Sequence, residues 1–227
     1  MLKDNHNSIS NIPNPSIKKG SIHTKLIEFI EATLYKFQNQ FKGEINTSEE
    51  VLNEHLGKTF SYYSKTHPFI FQAETIQKQK KGQNRKVDIG VFKHYADHNP
   101  FFTIEAKRLS NSIRNNRKKE YVVGDDPTKF TGGIERFKHN LHGVNLSNSA
   151  IIGYVQNEDL KFWYKSVNEW ILELILGKIK SPLKWNFNDA LYNTCNFADL
   201  RCAKFNSESE KIDKTRISLS HYFVNLC

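Results

Sequence analysis

Three residues on two neighbouring segments have the types and spacing needed for joint chemistry. Asp88 lies in an alternating stretch at residues 85–92, and Glu105 and Lys107 lie two positions apart in the next one, at 101–109. Side chains two positions apart in a strand lie on the same face. Glu105 and Lys107 therefore share a face. If the two strands pair as a hairpin-like unit, Asp88 converges with Glu105 and an ammonium group lies beside two acids.

Two carboxylates on rigid strands are suited to bind a hard divalent cation, Mg²⁺ or Mn²⁺, through oxygen atoms. Such an ion binds a phosphodiester oxygen and lowers the pKa of a water molecule. The Lys107 ammonium could position that water or stabilise the transition state. The backbone carbonyl of Ala106, between the two side chains, is a further candidate ligand. The alternative is a surface salt bridge of Glu105 with Lys107 or Arg108, which stabilises only weakly.

An acid on one strand followed by Glu-X-Lys on the next resembles the motif of the PD-(D/E)XK nuclease superfamily, which has the restriction-endonuclease-like fold. The matching residues are Asp88 and then Glu105-Ala106-Lys107, and Val87 stands where the motif has proline. The resemblance covers residues 46–156. It implies that Asp88 and Glu105 are metal ligands and that Lys107 is the catalytic lysine.

Many members of that superfamily add a glutamate from the helix before the strands, and Glu49, Glu50 and Glu54 are the candidates here. At about 100° per residue, Glu49 shares the inward stripe of apolar residues on this helix. Glu50 is the third helical residue if Thr47 is the N-cap, which predicts a capping box with a local role. Glu54 points away from the stripe. Glu49 is therefore the predicted third catalytic acid, and Glu50 is the second choice.

The excess positive charge of the chain lies in one central segment. The 227 residues include 33 Lys and Arg against 24 Asp and Glu, a net charge of +9. Residues 77–119 hold 12 basic and 3 acidic residues, which accounts for the whole excess. Clustered cations are expected of a protein that binds a phosphate backbone. The alternative is a solvated basic face without a ligand.

Basic residues around the predicted site are candidates for contacts with nucleic acid. These are Arg108, Arg114, Arg117, Lys118, Lys119, Lys129 and Arg136. The segment 111–119 is expected to be mobile and to reach several phosphates, or else to be a solvated loop. Gly132 and Gly133 would let a phosphate approach backbone N–H groups at a helix start, held by Lys129 and Arg136. The alternative there is a glycine turn before an ordinary helix.

The elements that must position these residues are predicted from hydrophobic periodicity. Helices are expected at 24–38, from 46–48 to 63, at 131–142 and at 162–176. Strands are expected at 69–77, 85–92, 101–109, 150–156 and 215–226, and the span 182–209 has no assignment. This order predicts an α/β sandwich, a mixed central β-sheet flanked by helices.

A single nuclease-like domain is expected at residues 21–227, with a core at about 46–176, a C-terminal elaboration at 177–227 and a flexible N-terminal arm at 1–20. No apolar run approaches the ~20 residues needed to cross a bilayer. The polar N-terminus lacks the apolar region of a secretory signal, so the expected compartment is the cytoplasm. Cys195, Cys202 and Cys227 fit no zinc spacing and are expected to be ordinary thiols. A general base at His139 or His142 has no support from the sequence.

The predicted function is a Mg²⁺-dependent nuclease that hydrolyses phosphodiester bonds of DNA by attack of water, without a covalent intermediate. The resemblance implies an endonuclease of restriction or anti-phage defence. Two alternatives stay open: a non-catalytic nucleic-acid-binding module of the same fold, and a ribonuclease. The expected partner is nucleic acid and not a membrane. Because duplex cleavage needs two sites, a homodimer is a further expectation, as is a regulatory protein that restrains the nuclease.

Overall fold

Helices and strands alternate along the chain in the computed structural model, which describes residues 19–41, 43–44, 46–77, 84–93, 99–114, 117–193 and 201–227. The helices in these ranges are α1 (Lys19–Gln40), α2 (Glu49–Tyr63), α3 (Gly133–Lys138) and α4 (Leu160–Ile175), with short 3-10 helices at Ser64–Thr66 and Phe187–Asp189. The strands are β1 (Phe69–Gln77), β2 (Arg85–Lys93), β3 (Phe102–Leu109), β4 (Asn148–Val155), β5 (Tyr192–Asn193), β6 (Cys202–Glu210) and β7 (Arg216–Asn225).

The strands form one mixed sheet in the order β1-β2-β3-β4-β7-β6-β5. β1, β2 and β3 form an antiparallel meander, whereas β3, β4 and β7 are parallel neighbours. β6 returns antiparallel to β7, and the two-residue β5 only extends its edge. The sheet is thus six strands with a short seventh. The predicted mixed sheet flanked by helices is confirmed.

Two apolar clusters cover the two faces of the sheet. Ile104 and Ala106 of β3 belong to the cluster that includes α1 and α2, and Leu109 belongs to the cluster with α3 and α4. Because side chains alternate along a strand, Glu105 and Lys107 face the α3 and α4 side. β3 is buried at seven of its eight residues, as expected of a strand covered on both faces.

Every helix and strand that the periodicity predicts is present, with differences at the ends. α1 begins at Lys19, so Lys19 and Gly20 belong to a helix and not to an arm; residues 1–18 lie outside the described ranges. α3 has six residues instead of the predicted span 131–142. Gly132 is extended and Asn140 has a φ of 60°, a left-handed conformation that ends helices.

The span without an assignment, 182–209, contains the second 3-10 helix, β5 and most of β6. β6 alternates in burial, but its inward residues include Ser207 and Ser209 beside Ala203 and Phe205. Two serines on the buried face remove the apolar alternation by which a strand is recognised. A strand with this composition is therefore poorly visible to hydrophobic periodicity.

Two further expectations concern the cysteines and the membrane. Cys202 and Cys227 are free thiols, as expected, and Cys195 lies outside the described residues. None of the helices in the described ranges combines the length and the apolar character needed to span a bilayer.

Candidate active site

The backbones of β2 and β3 separate at the point where the two strand acids lie. Their ladder pairs Val91 with Phe102, Gly90 with Thr103 and Ile89 with Ile104, and the next pair in that register would be Asp88 with Glu105. Instead, the Asp88 carboxylate accepts a hydrogen bond from the N–H of Ala106 at 2.7 Å. The side chain thus replaces a backbone partner at the end of the ladder.

Glu105 lies at the centre of the cluster and is fully buried. Its Oε1 lies 3.0 Å from Lys107 Nζ and 2.5 Å from Arg136 Nη1. Its Oε2 lies 2.9 Å from His142 Nδ1, but the two atoms are not aligned for a hydrogen bond. Neither atom has a hydrogen-bond partner among the described residues. Glu105 therefore presents one oxygen bound to two cations and one buried oxygen that contacts His142 without an aligned hydrogen bond.

Glu49, the first residue of α2, reaches the same cluster. Its Oε1 lies 2.9 Å from Lys107 Nζ, and its Oε2 accepts a hydrogen bond from the N–H of Arg108 at 3.3 Å. The N-cap of α2 is Ser48, whose side chain accepts from the N–H of Val51. The capping box predicted for Thr47 and Glu50 is wrong, because Glu50 is the second helical residue rather than the third. We name Asp88, Glu105, Lys107, Glu49, Arg136 and His142 the acid cluster.

The surroundings set the protonation of this cluster. Burial and the neighbouring Glu105 charge raise the pKa of Asp88 to about 7. Burial alone would raise the pKa of Glu105, but Lys107, His142 and Arg136 hold it well below its usual range. Burial alone would lower the pKa of Lys107, but Glu105, Glu49 and Asp88 raise it above its usual value. Lys107 is therefore a permanent cation at neutral pH, suited to stabilise negative charge and unsuited to act as a base.

The acid cluster opens into a cavity of about 790 Å³. Asp88, Lys107 and Arg136 reach its wall, together with Glu49 and Arg117. The lining holds six carboxylate side chains against three cationic ones. A polyphosphate would be repelled from such a cavity unless a cation were bound there.

The residues present fit a divalent cation that keeps most of its water. The buried Glu105 Oε2 without a partner and the Asp88 carboxylate are oxygen donors of the kind that Mg²⁺ takes. Mg²⁺ is often held by only one or two carboxylates. The described residues contain no group of three or more His, Cys, Asp or Glu side chains that could hold a metal. Carboxylate oxygens are the donors that Mg²⁺ and Mn²⁺ take in proteins.

The predicted phosphate site at Gly132 and Gly133 is wrong. The N–H of Gly132 donates to Glu135 Oε2 at 3.1 Å, and the N–H of Gly133 donates to the carbonyl of Glu120 at 2.8 Å. A Cβ on Gly132 would lie 2.3 Å from Val123 Cα. Glycine is needed at this position for close packing of backbones. Arg136 instead forms an ion pair with Glu105 of the acid cluster.

The other predicted basic residues have different surroundings. Lys119 pairs with Glu173 of α4 at 2.6 Å, at one end of the segment 111–119, of which residues 115–116 lie outside the described ranges. Arg117 pairs with Glu120, and Lys129 with Asp126. The remaining three make no ion pair within the described part of the chain; they are Arg108, Arg114 and Lys118. Partly exposed pairs of this kind are weak, so they leave these cations open to other partners.

Sequence reasoning missed His142, which lies within contact distance of Glu105. A continuous helix over 131–142 would have directed His142 differently. The left-handed residues Asn140 and Gly143 turn the chain after α3 and bring His142 to the carboxylate. Asn and Gly on either side of it were the available signal for this turn.

The chain was compared with protein-family models, with curated proteins and with solved structures, and none of these comparisons gives a match.

Proposed function

We propose that this protein is a Mg²⁺- or Mn²⁺-dependent nuclease that hydrolyses phosphodiester bonds of DNA, with a restriction-endonuclease-like fold. The order of its elements supports this proposal, since an acidic helix residue, a strand acid and a Glu-X-Lys strand follow one another in the chain. The compartment proposed for this activity is the cytoplasm.

One observation carries the proposal: Asp88 and the buried Glu105 converge from neighbouring strands beside the permanent ammonium group of Lys107. A merely structural ion pair needs only one acid and one cation. Here two acids and an ammonium group lie together in a cluster that opens into a cavity large enough for a substrate group. Strongly shifted pKa values in such a cleft are typical of functional sites.

The side chains divide the chemistry between them. Asp88, Glu105 and the carbonyl of Ala106 would hold the cation, which supplies an activated water and polarises the phosphate. Lys107 is held by Glu105 and Glu49 on either side, so its ammonium is oriented without any movement of the side chain. A fixed cation of this kind stabilises charge that develops on the phosphate oxygens in the transition state. Glu49 is thus a positioning residue for Lys107.

The test is the conversion of supercoiled plasmid to nicked and linear forms, with Mg²⁺ or with EDTA. We expect cleavage only with the metal, and a loss of at least about 100-fold in Asp88→Ala and in Lys107→Ala. Lys65→Ala, a substitution outside the cluster, is the control and should cleave as the parent does. If Asp88→Ala and Lys107→Ala cleave as fast as the parent, the proposal is wrong.

The same protein also distinguishes the two alternative functions, a ribonuclease and a non-catalytic binding module. Labelled DNA and RNA of one sequence, digested side by side, distinguish a deoxyribonuclease from a ribonuclease. A parent protein that binds these probes in Mg²⁺ without cutting either of them would be a non-catalytic binding module. Gel filtration with and without DNA tests the proposed homodimer.

A further inference from the structure

A second cavity, of about 580 Å³, lies beside the acid cluster and has the opposite charge. Its wall includes Arg85, Lys86, Lys129 and Arg136, and no carboxylate of the described residues lines it. We name it the basic pocket. Its volume is in the range of ordinary ligand sites. Four cations without a carboxylate form a surface that attracts a phosphate group.

Arg136 of the basic pocket is held by Glu105, whereas its other three cations are exposed and held weakly or not at all by carboxylates. Arg85 is exposed and has no ion pair within the described ranges. Lys86 and Lys129 pair with Glu74 and Asp126, but their side chains are 63% and 72% exposed. Ion pairs so exposed contribute little. A phosphate entering the pocket could therefore recruit all three cations at low cost.

The pocket has a defined shape on its aromatic side. Phe130 has a φ of 49°, which is uncommon for a residue with a large side chain. Its ring lies 3.8 Å from the ring of His139, centroid to centroid. Backbone strain of this kind clusters at binding sites. Phe130 and His139 both line the pocket, together with the exposed Lys86 and Lys129.

Two residues join the basic pocket to the acid cluster. Arg136 and His142 line the pocket, and both contact the Glu105 carboxylate, at 2.5 Å and 2.9 Å. Arg136 also lines the acid cavity, as does Thr131. A chain of phosphates could therefore place one group at the acid cluster and a neighbouring one in the basic pocket.

We infer that the basic pocket binds a backbone phosphate of the nucleic acid next to the one that is cleaved. This inference rests on the proposed function. Arg85 and Lys129 would hold that phosphate, and Arg136 would link it to Glu105. The pocket then sets the path of the substrate strand across the site, which the acid cavity alone, with its surplus of carboxylates, could not do.

The test is the binding of a fluorescein-labelled single strand of about 12 nucleotides, measured by anisotropy at about 0.15 M salt with Ca²⁺, which also takes oxygen ligands, in place of Mg²⁺. We expect Arg85→Gln/Lys129→Gln to bind at least about tenfold more weakly. The matched control is Lys25→Gln/Lys165→Gln, which removes the same charge from exposed positions on α1 and α4. It should bind within about twofold of the parent.

Three results would overturn the inference. The first is that the parent protein does not bind the strand. The second is that the two double variants lose affinity equally, which would indicate a general effect of charge. In the third, inorganic pyrophosphate binds with the same dependence on Arg85 and Lys129 while the strand does not, which would assign the pocket to a free phosphate compound. All four substituted side chains are exposed, so the variants are expected to fold; circular dichroism checks this.

The failure of this inference is distinguishable from the failure of the proposed function. If Asp88→Asn cleaves like the parent while Arg85→Gln/Lys129→Gln loses binding, phosphate binding in the basic pocket is supported and the proposed nuclease site is wrong. If Asp88→Asn loses cleavage while Arg85→Gln/Lys129→Gln binds and cleaves like the parent, the proposed nuclease site is supported and phosphate binding in the basic pocket is wrong.

Discussion

Two buried ionic clusters in this protein differ in how completely their polar atoms are satisfied. Lys138 and Asp189 form a pair at 2.7 Å, with side chains 1% and 0% exposed. Asp189 Oδ1 also accepts from the Ser209 hydroxyl at 2.6 Å, and Oδ2 accepts from the N–H of Asn186 at 2.8 Å. Both carboxylate oxygens are thus bonded, and this pair is complete without a ligand.

The acid cluster is buried at Glu105 and Lys107 but partly exposed at Glu49 and Arg136, and it is incomplete. Glu105 Oε2 and His142 Nδ1 have no hydrogen-bond partner among the described residues, and the pKa of Asp88 is raised to about 7. The comparison of these two clusters shows that burial of charge does not by itself indicate a functional site. Two acids brought together beside a cavity do, because their burial and mutual repulsion, which raise the pKa of Asp88, are left for a bound cation to offset.

The largest effect that we expect tests the complete cluster. Asp189→Ala leaves the Lys138 ammonium buried without its partner, so the free energy of unfolding should fall by about 3–5 kcal/mol. Urea denaturation measures this change. Glu54→Ala, which breaks an exposed pair with Lys58, should change stability far less. A similar small change in Asp189→Ala would contradict the structural role of this pair.

The second-largest expected effect is the stabilisation of the protein by Mg²⁺ bound at the acid cluster. At a Mg²⁺ concentration a hundred times its Kd, binding should add about 2.7 kcal/mol to the free energy of unfolding. Glu105→Gln should abolish this gain, because a neutral amide replaces the negatively charged carboxylate that would bind the cation. Glu74→Gln, in a glutamate that lines the same cavity, should keep it. A gain that survives in Glu105→Gln would place the metal elsewhere.

A smaller effect comes from the titration of Asp88 in EDTA. Its pKa is raised from 3.8 to about 7, so the native state keeps a proton that the unfolded chain loses above about pH 4. The stability from this group is therefore present at low pH and is lost as the pH rises through 7.

Asp88→Asn should remove this loss. Its amide oxygen can still accept the hydrogen bond from Ala106, so we expect a free energy of unfolding higher than the parent's by about 1–3 kcal/mol at pH 8 and little difference at pH 4. Urea denaturation at the two pH values measures it. Equal stabilisation at both would show that Asp88 does not titrate near neutrality.

The sequence predicts the first half of the fold better than the second. β1 has the predicted bounds, 69–77, because it begins with the apolar, aromatic residues 69–71 and is followed by Lys78. The alternation of side chains along β2 and β3 places Glu105 and Lys107 on one face and Asp88 near them. β6 escapes prediction because Ser207 and Ser209 occupy buried positions. Side chains satisfied by tertiary hydrogen bonds leave no apolar pattern to detect.

The candidate site divides in a similar way. Asp88, Glu105, Lys107 and Glu49 come together through regular strands and a helix start, where periodicity determines direction. The contact of His142 depends on a tight turn after α3, and a turn of this kind is not fixed by hydrophobic spacing. The unsatisfied state of Glu105 Oε2 is a property of packing, which no sequence pattern encodes.

The smallest effect distinguishes Glu49 from its neighbour. Glu49 and Glu50 both lie in the first turn of α2 and both interact favourably with the helix N-terminus. Only Glu49 contacts Lys107 and the N–H of Arg108, and its side chain is 24% exposed. Glu49→Gln should lower the free energy of unfolding by about 1 kcal/mol, and Glu50→Gln by about 0.3 kcal/mol. Since both glutamates interact with the helix N-terminus, the difference between the two losses in the free energy of unfolding measures the contact of Glu49 with Lys107. Equal values would mean that Glu49 does not orient Lys107, and that the acid cluster consists of the strand residues with Arg136 and His142 alone.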